Sequence, residues 1–141
     1  MTAYDNNNIF AKILRGELPA YKVYEDDHTY AFLDIMPRSP GHTLVIPKAA
    51  ARNIFDIKAD DLGHVARTAH KIAAAAKKTF KADGMTIAQY SEQASGQVVF
   101  HLHMHVMPRT EGVALLPAAS IKAEPKVLED HATRMIAALQ S

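Results

Sequence analysis

Between Val99 and Met107 apolar residues and histidines alternate, with Phe100, Leu102, Met104 and Val106 on one phase and His101, His103 and His105 on the other. Successive side chains of an extended strand point to opposite faces, so this run reads as a strand with a core surface and a row of imidazoles. The apolar set fixes the register, because a slip of one residue would exchange the two faces. Such a strand, over 98–107, needs neighbouring strands beside it and helices over its apolar side. At 141 residues the chain has the length of one ordinary domain, and folding at that size buries about 68–70% of the unfolded surface.

The rest of the chain supplies those partners. Asn6 to Asn8 can cap a short helix bearing Ile9, Phe10, Ile13 and Leu14, which Gly16 and Pro19 close. Segments 21–25 and 29–34 are rich in aromatic and β-branched residues, and the polar Asp26, Asp27 and His28 between them predict a hairpin. Residues 42–46 read as a third strand stopped by Pro47, and 85–91 as a fourth. Asp60 is the expected cap of a long helix over 61–81, whose residues Leu62, Val65, Ala66, Ala69, Ile72, Ala73, Ala76 and Phe80 keep helical spacing. A last helix is expected over about 126–139, with Pro125 at its first turn. Strands gathered around one long helix predict an α+β fold, an antiparallel sheet of about five strands with packed helices. The expected organisation is one domain over 1–141, with a core at about 8–109 and a C-terminal extension.

Composition removes several functions. Sixteen Lys and Arg against fifteen Asp and Glu leave a net charge of +1, which gives no electrostatic footprint for nucleic acid or an anionic membrane. There is no cysteine, so disulfides, thiolate zinc sites and cysteine nucleophiles are excluded. The six glycines are too scattered to build a phosphate-binding loop or a serine-hydrolase elbow. The N-terminus lacks a basic region followed by an apolar stretch, and no uncharged run is long enough to span a bilayer; a cytoplasmic location is expected.

Three readings of the imidazole row compete. It can be an exposed strand face that happens to carry histidines, a metal site, or a cradle for an anionic substrate. On a straight strand His101 and His105 start about 13 Å apart, whereas zinc ligands must lie about 2.0–2.1 Å from one ion. Two of the three can share a metal, and no Asp or Glu between Gln93 and Pro108 completes the set. An elongated anion suits the row better.

The order His101-Leu-His103-Met-His105-Val-Met107 resembles the signature of the histidine triad (HIT) family. The likeness extends through Ile9-Phe-Ala-Lys-Ile13, Gly16-Glu-Leu-Pro-Ala20, Glu25-Asp-Asp27, Ala31-Phe-Leu-Asp-Ile35, Pro40-Gly-His-Thr-Leu-Val-Ile-Pro-Lys48 and Gly96-Gln97, in family order. The most similar branch is Hint, small dimeric purine nucleoside phosphoramidases. The resemblance implies a HIT-like fold, a homodimer, and cleavage of nucleoside 5′-phosphoramidates or related adenylates without a cofactor. It implies that His103 attacks the α-phosphate, that His105 contacts the phosphate, and that His101 and His42 support the site. A neutral imidazole, with a pKa near 6.5, is a competent nucleophile at neutral pH.

The same resemblance places the nucleoside among Ile9, Phe10, Ile13, Phe32, Asp34 and Ile35, and the phosphate against a turn containing Gly96, Gln97 and Val98. The apolar members would fill a core equally well, and Asp34 also suits a turn. Asn8, Ala11 and Ala50 stand where many relatives carry zinc ligands, so no structural zinc is expected. Tyr90 or Ser91 takes the place of a polar asparagine, and Val98 that of a hydroxyl residue. The rival functions are a metal-dependent hydrolase using two triad histidines, and a nucleotide-binding interaction protein with residual activity.

Overall fold

The computed structural model describes residues 3–141. Five strands, β1 (Lys22–Glu25), β2 (Thr29–Leu33), β3 (Thr43–Pro47), β4 (Gly84–Gln89) and β5 (Met104–Arg109), form one antiparallel sheet in the order β1-β2-β3-β5-β4. The α-helices are α1 (Ile9–Leu14), α2 (Ala59–Phe80) and α3 (Pro125–Gln140). The expected α+β architecture is present.

Local chemistry accounts for the main boundaries. The Asn8 side chain accepts a hydrogen bond from Ala11 N–H at 2.9 Å and so caps α1. Asp26 Oδ1 accepts from the backbone N–H groups of His28 and Thr29, each at 2.8 Å, which turns β1 into β2. The sheet divides the molecule into two sides. On one, Ala31, Leu33, Val45, Leu102 and Val106 pack against Val65, Ala69, Ile72 and Ala76 of α2 and Leu128, Ala132 and Met135 of α3. On the other, Phe32, Leu44 and Ile46 pack against Phe10 and Ile13 of α1.

Four expectations need correction. The fifth strand begins at Met104, not at residue 98. Its ladder with β3 ends at Val45 and Met104, because further on Pro47 has no N–H and its carbonyl accepts from His101 Nε2 at 2.8 Å. Residues 98–103, bent at 99–101, therefore lie outside the sheet. The alternation persists from Leu102 onward, yet Phe100 leaves the core and lies under the Arg52 guanidinium, 4.1 Å from it. Finally, Asp60 does not cap α2; Lys58 holds that position without a side-chain bond, while Asp60 and Asp61 sit in the first turn, where the helix dipole favours them. Along the helix Ala66 is exposed and Thr68 is buried instead, hydrogen-bonded to Thr29 Oγ1 at 2.7 Å.

Candidate active site

His42, just before β3, and His105, in β5, share the α1 side of the sheet, since β3 and β5 pair Leu44 with His105. The partners of these rings fix their tautomers. The backbone N–H of Arg38 donates to His42 Nδ1 at 3.1 Å, so His42 carries its proton on Nε2. That proton goes to His105 Nδ1 at 2.9 Å, leaving His105 an Nε2–H to offer outward. The next imidazole has the opposite polarity. His103 Nδ1–H donates to the backbone carbonyl of His101 at 2.8 Å, which leaves Nε2 with a bare lone pair. The rings of His103 and His105 lie 5.0 Å apart, so a lone pair and an N–H donor stand side by side.

The imidazoles do not form an exposed face. His101 is 0% exposed and His103 8%, with Phe10 packed edge-on against His103 at 4.9 Å. Burial is the main reason their pKa values fall. His42 is pushed down to about 4 by burial, then by the charges of Arg38 and His103. His101 falls to about 4 for the same first reason, and His105 to about 3, with His103, His42 and Arg38 adding to the effect. His103 is lowered by burial and partly restored by the His101 carbonyl. At neutral pH all four rings are uncharged.

The loop between β4 and residue 98 departs from expectation. Ser95, Gly96 and Gln97 do not offer free backbone donors, because their N–H groups bond to Glu92 O, Gln93 O and Glu92 O at 3.1, 3.0 and 3.2 Å. The Gln97 side chain is buried and committed, accepting from Glu92 N–H and donating to Arg52 O. Glu92 has φ 71° and ψ 162°, a conformation that glycine alone adopts without strain. A bidentate Arg52 pair at 2.8 and 2.9 Å, with Asn53 as a further donor, holds it there. Val98 is 83% exposed, on a loop and not on a strand. Of Tyr90 and Ser91, one of which is expected to stand in place of an asparagine, Tyr90 lies against the histidines, its ring 5.5 Å from His105.

The nucleoside candidates separate into two groups. Phe10, Ile13 and Phe32 are buried in the α1 cluster, whereas Ile9 and Ile35 are 54% and 40% exposed. Asp34 joins the imidazoles: its Oδ2 lies 3.7 Å from His42 Nε2, its Oδ1 accepts from Met36 N–H, and burial raises its pKa. Two further residues were not legible. Tyr4 donates its hydroxyl to His101 Nδ1 at 2.6 Å. Arg38 ties the segment after β5 to the site, with Leu116 N–H donating to Arg38 O and Arg38 Nε to Leu116 O. No motif marks either one.

The donor set decides what metal chemistry is open. Both ring nitrogens of His101 have protein partners, Asn8 is spent on its cap, Ala11 is buried and Ala50 has no ligand atom. These residues do not fit a structural zinc. Asp34, His42 and His105 do bring ligand atoms within 4.8 Å of one another, a two-histidine, one-carboxylate set that the sequence separation had hidden. A cation there has to replace the His42–His105 hydrogen bond.

Known proteins resemble this chain in sequence and fold. The HIT domain model matches residues 15–112. A crystal structure of a Hit-like protein involved in cell-cycle regulation from Bartonella henselae superposes with a TM-score of 0.93 at 52% identity, covering 97% of this chain and 99% of that one. Protein hit of Bacillus subtilis is 42% identical over 103 residues, 73% of this chain and 71% of its own length. The adenylylsulfatase HINT3 of Arabidopsis thaliana is 31% identical over 135 residues, 96% of this chain and 68% of its own length. With a triad sequence, a five-stranded HIT-like sheet and these relatives, the chain belongs to the HIT family of nucleotide-binding hydrolases and transferases.

Proposed function

We propose that this protein hydrolyses purine nucleoside 5′-phosphoramidates or related adenylates through a covalent nucleotidyl-histidine on His103, as a cytoplasmic homodimer. The observation that carries the reading is the pair of tautomers at the site: His103 Nε2 is unprotonated, and His105 Nε2–H stands beside it. A bond forms from His103 Nε2 to phosphorus as the P–N bond breaks, and the departing amine takes up one proton from solvent, which the later hydrolysis gives back. His105 Nε2–H donates to a phosphate oxygen throughout, stabilising the transferring group. Water then displaces His103, releases the nucleoside monophosphate and returns one proton. Asp34 Oδ2 takes a ribose hydroxyl, since Oδ1 is already engaged, and the base lies against the exposed Ile9 and Ile35.

Dimerisation is supported by the free edge of β4, where Ile87 is 46% exposed. No helix among the described residues is long and apolar enough to cross a membrane. The test is steady-state turnover of adenosine phosphoramidate by wild type and His103→Ala. Loss of the nucleophile lowers kcat by far more than the ~10²–10⁴ of a general acid or base. A variant keeping a tenth of the wild-type rate overturns the role. The second reading, a metal-dependent hydrolase, is favoured only by the Asp34, His42 and His105 cluster. Activity lost with EDTA and restored by Zn²⁺ would establish it; activity indifferent to both rejects it.

A further inference from the structure

The segment that carries the nucleophile is thinly held. Residues 98–103 lie outside the sheet, and the backbone bond tying them to the rest of the chain is Leu102 N–H to Ala51 O at 2.8 Å. Side chains provide the other anchors. Gln97 Nε2 donates to Val99 O at 3.1 Å, and the His101 ring spans from Pro47 O at 2.8 Å to the Tyr4 hydroxyl at 2.6 Å. The carbonyl of His101 is also the acceptor that holds the proton of His103 on Nδ1. Whatever fixes residue 101 therefore fixes the tautomer of residue 103.

We infer that Tyr4 is a positioning residue for catalysis: its hydroxyl locks the His101 ring, and through the His101 carbonyl it keeps the His103 Nε2 lone pair aimed at phosphorus. The inference rests on the proposed role of His103. The hydrogen-bond polarity is consistent along its length. His101 donates from Nε2 to Pro47 O, so Nδ1 is a bare acceptor, and among the described residues the Tyr4 phenol is the partner in place to donate to it. Burial raises the Tyr4 pKa, with the Asn8 side chain opposing, so the hydroxyl keeps its proton. The two rings also meet edge to face at 5.7 Å, so removing the hydroxyl alone leaves that packing in place. In this chain an oxygen–hydrogen donor from the N-terminal segment does the orienting at His101, where the surrounding side chains cannot hold a metal.

Tyr4→Phe separates orientation from packing. With an adenosine phosphoramidate, kcat is expected to fall about three- to thirtyfold while KM stays within about twofold, because the nucleoside pocket is untouched. Imidazole ¹⁵N NMR of the substrate-free protein is expected to show His103 as a single Nδ1–H tautomer in wild type and as a tautomer mixture in Tyr4→Phe. A kcat within twofold of wild type together with a single His103 tautomer overturns the inference. So does a lowered melting temperature accompanied by an unchanged kcat of the folded fraction, which would make Tyr4 a packing residue only. If wild type fails to turn over the phosphoramidate, the proposed function falls, and the NMR comparison alone still decides the role of Tyr4.

Discussion

Mild acid should destabilise this protein through its buried histidine cluster. His42, His101 and His105 sit at about 4, about 4 and about 3, chiefly because burial disfavours the imidazolium. In the unfolded chain each takes up its proton near pH 6.5. Above that pH neither state is charged, and pH has no effect through these groups. Between 6.5 and about 4 the unfolded chain binds protons that the folded protein refuses, so stability falls as pH falls. Each site is worth about 1.4 kcal/mol per pH unit in that window, and three give a loss of about 4 kcal/mol between pH 7.5 and 5.5. Asp34, whose pKa burial raises, works in the opposite sense. Urea melts at pH 7.5, 6.5 and 5.5 measure this directly. With an m-value of about 2 kcal/mol/M, the midpoint should drop by about 2 M over the series at constant m. A midpoint that holds to within about 0.5 M down to pH 5.5 would refute the picture of a dry, neutral imidazole cluster.

Gly41, beside His42, has φ +87°, and a Cβ there would lie 2.7 and 2.9 Å from Phe80 Cδ2 and Cζ. Gly41→Ala should therefore cost roughly 2–5 kcal/mol, about 1–2 from the backbone and about 1–3 from the ring. In a Phe80→Leu background only the backbone part should remain, and an equal penalty in both backgrounds would show that the ring is not the obstacle. Val98→Thr should raise kcat/KM about tenfold, ~1.4 kcal/mol, for substrates with poor amine leaving groups. Val98 lies on a loop and is open to solvent; equal changes for aliphatic and aryl amines would refute a contact between the new hydroxyl and the departing amine.

Much of this was legible because the signals are local. The Asp26 turn, the Asn8 cap and the Leu102, Met104 and Val106 phase each follow from a few adjacent residues. The same locality explains the failures. Pro47 ends the β3–β5 ladder from across the sheet, so the histidine-bearing run reads as one strand when only its last four residues, Met104 to Met107, are strand. Asp34 completes a cluster with His42 and His105 through tertiary folding, although the sequence between Gln93 and Pro108 holds no carboxylate. Tyr4 reaches His101 across 97 positions, a contact that no spacing rule anticipates. The Glu92 conformation is affordable only because Arg52 and Asn53 arrive from the far side of α2. Sequence pattern thus located the histidine row, whereas the side chains and carbonyl that hold His101 and His103 belong to Tyr4, Pro47 and Phe10, far away along the chain.

The central claim is that His103 becomes covalently nucleotidylated. Mixing enzyme with adenosine phosphoramidate, quenching in alkali within one turnover and mapping the peptides by mass spectrometry tests it most directly. The account predicts one adenylyl group per chain on the peptide containing His103, present before free nucleoside monophosphate accumulates and absent from His103→Ala. Product formed without an adduct on any peptide, or with the adduct on a different residue, would contradict it.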